Sequence, residues 1–254
     1  MDYELRGRRA LVTGATRGIG RAIVSTFAKQ GVNVGICARD QAAVKKTVAE
    51  LAREGVTSWG ESVDVSDSSA LTNWIDAGAR KLGGLDILVT NASALTSGGS
   101  PENFRQAFDT DLMQTVVAAT TSLPHLEKSD AGVIIAISSV SGSEDYGYDE
   151  AAYSTIKSAL NFYVKTLARE IAPKKIRANT VSPGNTYFDG GYWQKLEAEQ
   201  PEVFAKFLAN NPFGRMAAVH DIANMVAFLA SPAASFVSGA NIVVDGSLTR
   251  RVQN

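Results

Sequence analysis

Cysteine is nearly missing from this chain of 254 residues: Cys37 stands alone, so no internal disulfide can form. That suits a reducing compartment and argues against a small disulfide-stapled scaffold. An excess of charge of either sign is missing too. The 25 basic and 26 acidic residues leave a formal net charge of −1, which argues against a nucleic-acid or anionic-membrane partner held by bulk electrostatics. No stretch approaches the roughly 18 apolar residues that span a bilayer, and the charged opening from Met1 to Arg9 lacks the apolar centre of a secretory signal. Histidine is scarce. His125 and His220 have no partners at metal-ligand spacing, so they read as a surface residue and a helix-start residue, and no metal is expected. What is left is an ordinary globular composition, 45% hydrophobic and 20% charged, sufficient for a sizeable core. The expectation is a soluble cytoplasmic protein with one domain over 1–254.

Hydrophobic patterning then divides the chain into alternating strands and helices. Arg9 to Thr13 is a short apolar run that stops at Gly14, followed by Ala22, Ile23, Phe27 and Ala28 at helical spacing and by Gly31 where a C-terminal cap belongs. Val32 to Cys37 reads as a second strand, Asp40 as the cap of a helix through Val44, Val48 and Leu51 that Gly55 closes, and Trp59 to Val65 as a third strand. Ser66 or Asp67 caps the next helix, Leu85 to Thr90 is a fourth strand, and Ser100-Pro101 starts another helix. Val133 to Ile137 is so continuously apolar that both its faces must be covered. A long helix ends before Pro173, and Ile176 to Val181 and Asn241 to Val244 complete seven strands. Alternation of this kind predicts a doubly wound α/β fold, with a seven-stranded parallel sheet and helices on both faces. One region, 184–214, reads as irregular and long enough to be a substrate-binding flap.

Two stretches carry chemistry. Gly14-Ala15-Thr16-Arg17-Gly18-Ile19-Gly20 sits at a strand-to-helix turn, where backbone N–H groups and the helix N-terminus receive a pyrophosphate. Tyr153 and Lys157 are four residues apart and share a helical face. An ammonium held beside a phenol favours the phenolate, so Lys157 is expected to draw the Tyr153 pKa down from about 10, making Tyr153 an acid in one direction and a base in the other.

Together these motifs resemble the short-chain dehydrogenase/reductase family in its single-domain form of about 250 residues, and the likeness covers essentially the whole chain. Thr13-Gly14-Ala15-Thr16-Arg17-Gly18-Ile19-Gly20 is similar to the family's glycine turn, Asp64-Val65 to its adenine contact, and Asn91-Ala92 to the pair after the fourth strand. Ser139, Tyr153 and Lys157 resemble its catalytic serine, tyrosine and lysine. Asn179 to Gly184 resembles the segment that holds the nicotinamide, with Pro183, Gly184 and Thr186 as contacts, and Ser238-Gly239 and Val244-Asp245-Gly246 resemble its C-terminal signature. The resemblance implies a Rossmann fold, a homotetramer or homodimer with the Tyr153 helix and last strand at interfaces, and reversible reduction of a carbonyl. In that reaction Ser139 polarises the carbonyl, Tyr153 protonates it, and Lys157 activates Tyr153 and holds the nicotinamide ribose. Adjacent Ser138 is the alternative serine.

Coenzyme choice is legible at the end of the second strand. NAD enzymes place a carboxylate there for the ribose hydroxyls, whereas this chain has Cys37-Ala38-Arg39 before Asp40. Arg17 and Arg39 instead form a potential clamp on a 2′-phosphate, so NADP(H) is expected over NAD(H). Asp111 stands where many relatives carry an asparagine, and its charge is expected to pair with Lys157, a departure that places it beside the catalytic set. Ser93 replaces the usual glycine after Asn91-Ala92, and the stretch between Ser139 and Tyr153 holds Tyr146 and Tyr148.

The substrate is less legible. Tyr187, Phe188, Tyr192, Trp193, Phe204, Phe207 and Phe213 suggest an apolar or aromatic pocket, or else a packed helical flap. Lys174-Lys175 with Arg177 reads as a solvated corner. Two alternatives to a carbonyl reductase stand beside it. A 3-oxoacyl-carrier-protein reductase would want a basic patch for its acidic partner, where only Arg105, Lys128 and Arg169 are scattered. A non-catalytic NADP(H) sensor would bind coenzyme without turnover.

Overall fold

The computed structural model describes residues 3–146 and 149–252; Tyr148 lies outside them. Strand β1 (Arg9–Thr13) leads to helix α1 (Gly18–Lys29), then β2 (Asn33–Ala38), α2 (Gln41–Ala52), β3 (Ser58–Ser62), α3 (Ser68–Leu82) and β4 (Ile87–Thr90). Helix α4 (Pro101–Ala107), a π-helical stretch (Phe108–Met113) and α5 (Gln114–Leu126) precede β5 (Val133–Ile137), the long α6 (Ala151–Ile171) and β6 (Arg177–Pro183). A short β7 (Thr186–Tyr187), α7 (Tyr192–Glu199), α8 (Pro201–Ala209), β8 (Ala217–Ala218), α9 (Val219–Ala230) and β9 (Asn241–Val244) complete the chain.

Seven strands form one parallel sheet in the order β3-β2-β1-β4-β5-β6-β9. Successive side chains of a strand point to opposite faces, and the core divides accordingly. Ala10 and Val12 of β1 and Val133, Ile135 and Ile137 of β5 pack with α1, α2 and α9. Their neighbours Leu11, Ile134 and Ala136 pack with α3, α5 and α6 on the other side. Both faces are thereby covered, as the unbroken apolar runs require.

Local signals act where expected. Asp40 caps α2 by accepting from the N–H groups of Ala42 (2.8 Å) and Ala43 (3.1 Å). Asp67, rather than Ser66, caps α3 in the same way. Ser100 caps α4 with Pro101 in its first turn. Among the described residues no helix is long and apolar enough to cross a membrane.

Three expectations need correction. The third strand ends at Ser62, not Val65, because the chain leaves the sheet edge to form the turn that Asp67 caps. Region 184–214 is largely regular, with α7, α8 and the β7–β8 pair. Arg177 is no solvated residue: its half-buried guanidinium donates to the carbonyls of Leu229 (2.8 Å), Val237 (3.3 Å) and Ser231 (3.4 Å), tying the turn after α9 to the sheet.

Candidate active site

The glycine turn is built around close approach. A Cβ on Gly20 would lie 2.4 Å from both the Gly14 carbonyl oxygen and the Asn91 side-chain nitrogen, so only glycine lets α1 start this near the sheet. Arg17 occupies the N-cap position of α1 and gives no side-chain cap, which leaves the first N–H groups of the helix for an anion. The turn is locked from behind. Asn91 Nδ2 donates to the carbonyls of Thr13 (3.1 Å) and Gly14 (3.0 Å), and Thr13 Oγ1 accepts from the N–H groups of Asn91 (3.0 Å) and Ala92 (3.2 Å). Thr13 donates in turn to Gln114 Oε1 at 3.0 Å, and Gln114 Nε2 donates to the Ala92 carbonyl. Gln114 escaped the sequence reading; its one signal was a polar residue three after Asp111, on the same helical face.

At the adenosine end, Arg17 and Arg39 are both exposed. Asp40 is committed to capping α2, so no carboxylate is spare at the tip of β2. The Asp64 carboxyl is held below its usual range by the hydroxyl and N–H of Ser66, with the nearby Arg39 charge adding to the effect. Val65 beside it is buried. The uncapped helix start, the glycine cradle and the two exposed arginines fit a dinucleotide carrying a 2′-phosphate.

Ser139, Tyr153 and Lys157 meet above β5. Ser139 follows that strand and accepts from Ser141 N–H (3.1 Å), which fixes its hydroxyl at the start of a 3₁₀ turn (Val140–Gly142). Ser138 Oγ instead turns to the Lys157 carbonyl at 3.3 Å, so Ser139 is the serine facing Tyr153. Lys157 Nζ lies 5.5 Å from the centre of the Tyr153 ring and donates to the Ile137 carbonyl at 2.9 Å. It also pairs with Asp111 Oδ1 at 3.1 Å. The π-helical stretch widens the helix and places Asp111 here, a common use of such distortions at functional sites. The other Asp111 oxygen, Oδ2, accepts from Ala94 N–H at 3.0 Å.

The electrostatic outcome corrects the sequence expectation. Tyr153 titrates above its ordinary range, not below it. Burial of the phenol is the largest cause; Lys157 and the Ser139 hydrogen bond pull the other way, while Asp111 and Glu150 push up further. For Lys157, burial favours the neutral amine, yet Asp111 and Tyr153 outweigh it and raise the ammonium's pKa. The lysine is a firm cation whose field is shared between a phenol and a carboxylate.

Region 184–214 reaches the glycine turn. Thr186, buried, donates to the Gly184 carbonyl at 3.0 Å just after Pro183. Most flap aromatics pack on one another: Tyr187 against Phe204 (6.1 Å between ring centres) and Trp193 against Phe207 (5.3 Å), around buried Leu196 and Met216. Their density therefore reflects a helical flap with its own small core. Phe188 is different. Its ring lies on the glycine turn, where a Cβ on Gly18 would come within 2.8 Å of it. In the loop after β4 Leu95 is 60% exposed and adopts a left-handed φ of +49°, held by Ser93 Oγ, which accepts its N–H at 3.1 Å.

Neither histidine joins the site. His125 is hydrogen-bonded to Asp76 at 2.7 Å, a partner the sequence did not reveal, and His220 lies in the first turn of α9. Among the described residues no cluster could hold a metal ion.

Known proteins resemble the whole of this arrangement. The family described as enoyl-(acyl carrier protein) reductase matches residues 14–249. Isoepoxydon dehydrogenase of Penicillium expansum is 36% identical, covering 96% of this chain and 95% of the relative. The 7alpha-hydroxysteroid dehydrogenase of Escherichia coli is 32% identical, covering 96% of this chain and 95% of its own. Among solved structures, L-sorbose reductase from Gluconobacter frateurii, complexed with NADPH and L-sorbose, has a TM-score of 0.91 at 27% identity, covering 99% of this chain and 100% of that one. A 7alpha-hydroxysteroid dehydrogenase complexed with NADH and 7-oxo glycochenodeoxycholic acid has a TM-score of 0.90 at 31% identity, covering 97% of this chain and 96% of that one.

Proposed function

The chain belongs to the short-chain dehydrogenase/reductase family, and we propose on that basis that it reversibly reduces the carbonyl of an apolar or aromatic small molecule to an alcohol, with NADPH as coenzyme. The observation that carries this is the convergence of Ser139, Tyr153 and Lys157 at the end of β5. NADPH, when bound, supplies the hydride. The first N–H groups of α1 would take the pyrophosphate, and Arg17 and Arg39 would take the 2′-phosphate. Asp64 and Val65 would contact the adenine, Asn91 and Ala92 would line the site after β4, and Pro183, Gly184 and Thr186 would hold the nicotinamide. Lys157 would hold the nicotinamide ribose. Ser139 donates to the substrate oxygen as negative charge develops there, and Tyr153 gives that oxygen its proton.

Asp111 acts through Lys157 as a positioning residue. Burial and the Asp111 charge hold the Tyr153 phenol above its ordinary range, so at neutral pH it carries the proton that reduction requires. The substrate's skeleton rests against Leu95, whose strained conformation (roughly 1–2 kcal/mol for a non-glycine residue) keeps an apolar side chain at the rim.

The test is loss of NADPH absorbance across apolar ketones, quinones, and 3-oxoacyl and enoyl thioesters, with Tyr153→Phe as the blank. Turnover that vanishes in the blank supports the reading. A second reading, an NADP(H) sensor, draws on the Asp111–Lys157 pair; tight coenzyme binding with no turnover across the panel would favour it. The acyl-carrier-protein reading gains little, since Arg105, Lys128 and Arg169 are dispersed and Arg105 sits 3.4 Å from Glu102.

We also infer a cytoplasmic homotetramer or homodimer. Phe162 on α6 is 77% exposed, Phe108 is 43% exposed, and β9 leaves one edge of the sheet open, which are features a second copy would cover. Light scattering on the purified protein decides the oligomeric state.

A further inference from the structure

Gln114 opens α5 where the π-helical stretch ends, and its side chain is buried against the ends of β1 and β4. These two strands are neighbours in the sheet, and the winding reverses between them: β1, β2 and β3 run to one edge, β4, β5 and β6 toward the other. In open α/β sheets a ligand lies in the crevice at such a reversal. A buried amide needs partners at both its ends, and this one has them. Its Oε1 accepts from Thr13 Oγ1 at 3.0 Å, and its Nε2 donates to the Ala92 carbonyl.

Those partners dictate what position 114 must be. Thr13 Oγ1 already accepts from the N–H groups of Asn91 and Ala92, which occupies both its lone pairs, so its one proton has to be given away. The Ala92 carbonyl can only accept. An amide answers both demands; a carboxylate or a hydrocarbon does not. What it holds presses directly on the glycine turn, since a Cβ on Gly14 would lie 2.9 Å from Ala92 Cα. One turn earlier in the same helical run, Asp111 takes the Ala94 N–H (3.0 Å) on one oxygen and Lys157 (3.1 Å) on the other. Segment 92–94 is thus fixed at one end by Gln114 and at the other by Asp111.

We propose that Gln114 is a positioning residue for the coenzyme: through Thr13 and Ala92 it sets the glycine turn where the first N–H groups of α1 receive the pyrophosphate. This rests on the dinucleotide-binding reading and adds to it a residue that acts through its neighbours. Thr13 and Ala92 adjoin the turn and not the arginines assigned to the 2′-phosphate, so Gln114 contributes equally to NADPH and NADH. Its loss leaves the Asp111–Lys157 pair intact, so the contribution is to coenzyme binding and not to the proton transfer.

The experiment titrates protein fluorescence with NADPH and NADH for the native protein, Gln114→Leu and Gln114→Glu, with thermal melts to show that each variant is folded. Gln114→Leu should weaken both coenzymes by a similar factor of about tenfold, the order expected when a hydrogen-bonded pair is lost. Gln114→Glu supplies a check that packing alone would not pass. A protonated carboxyl accepts and donates as the amide does, whereas a carboxylate sets an acceptor against the Ala92 carbonyl. Buried one turn from Asp111, which pairs with Lys157, that carboxyl should protonate well above its ordinary value of about 4. Relative to the native protein at the same pH, Gln114→Glu should bind coenzyme within about threefold near pH 5.5 and at least about tenfold more weakly near pH 8.5.

Native-like binding of both coenzymes by Gln114→Leu would overturn the proposal, as would a loss for NADPH alone or an equal weakening of Gln114→Glu at both pH values. If Gln114→Leu does not fold, the pH ratio of Gln114→Glu decides. With any ketone the native enzyme reduces, Gln114→Leu should raise the KM for NADPH while kcat at saturation stays within about threefold; a loss confined to kcat would overturn the positioning role. Coenzyme binding without turnover would count against the reductase reading and leave Gln114 to be judged by the titrations. A native protein that binds neither dinucleotide would overturn the coenzyme reading, and the role of Gln114 with it.

Discussion

Lys157 Nζ and Asp111 Oδ1 are 3.1 Å apart, and their side chains are 2% and 0% exposed. A buried ion pair is held together by what its removal would expose, since either partner alone becomes an uncompensated charge. Here the pair also sets the titration of a third group, because the Asp111 charge raises the Tyr153 pKa that Lys157 lowers. Asp111→Asn keeps the shape and an acceptor while removing the charge, so the Tyr153 phenol should ionise at lower pH. In alcohol oxidation, where Tyr153 must be the base, the midpoint of the pH–rate profile should move down by roughly one unit. An unchanged rate and profile would leave Asp111 with no role in the chemistry.

Asp86 makes the opposite kind of pair, far from the chemistry. Its carboxylate accepts from Arg9 Nε, Arg9 Nη2 and Arg9 N–H, each at 2.8 Å, and from Ser129 Oγ at 2.5 Å. Burial alone would raise its pKa, but these bonds outweigh it and hold the carboxyl below the usual range. Its stabilising contribution is thus present above the unfolded-state pKa of about 4 and is lost as pH falls through the lower folded value. Asp86→Asn should cost about 3 kcal/mol in urea unfolding at pH 7, and the gap from the native protein should close in strong acid. A gap independent of pH would show that packing, not charge, is responsible.

Coenzyme preference is expected to turn on Arg39. Arg39→Asp should weaken NADPH binding by at least about tenfold, the loss of a charge-assisted contact, while NADH binding changes little or improves. Titrating the protein fluorescence with each coenzyme gives both constants. Equal weakening of the two would remove the 2′-phosphate from this site.

Cys37 offers a clean probe of unfolding. The thiol is buried at the end of β2, and burial pushes its pKa far above the ordinary value although the Gly14 backbone pulls it slightly back. The thiolate is the reactive form, so the native protein should resist thiol reagents at pH 8 and react fully in denaturant. Rapid labelling of the folded protein would mean that β2 opens locally.

Much of this molecule was legible in the residues because several signals agreed. β1, β5 and β9 begin and end where the apolar runs do, and Asp40, Ser100 and Pro101 act as helix starts. Helices α7 and α8 were legible only as one of two readings of the aromatics, the packed helical flap, because each is about two turns long and their aromatics face one another. Arg177 and Glu150 show a different limit. A charged residue looks solvated in a sequence, and only the packing of distant segments decides that one guanidinium ends on three carbonyls and that one oxygen of a half-buried carboxylate ends without a hydrogen-bond partner.

The ring of Phe188 on Gly18 ties the glycine turn to the 184–214 segment at a single place. Gly18 has a φ of +55° and no room for a Cβ against that ring, so any change at the turn is transmitted to the chain segment above it. Anyone wishing to alter which dinucleotide this protein takes, or to graft onto it the flap of a relative, is redesigning both at once. The turn and the segment above it cannot be treated as interchangeable modules, and because the left-handed φ of Gly18 strains any side chain there even when the ring above is trimmed, a library that varies positions 18 and 188 together should return glycine at 18.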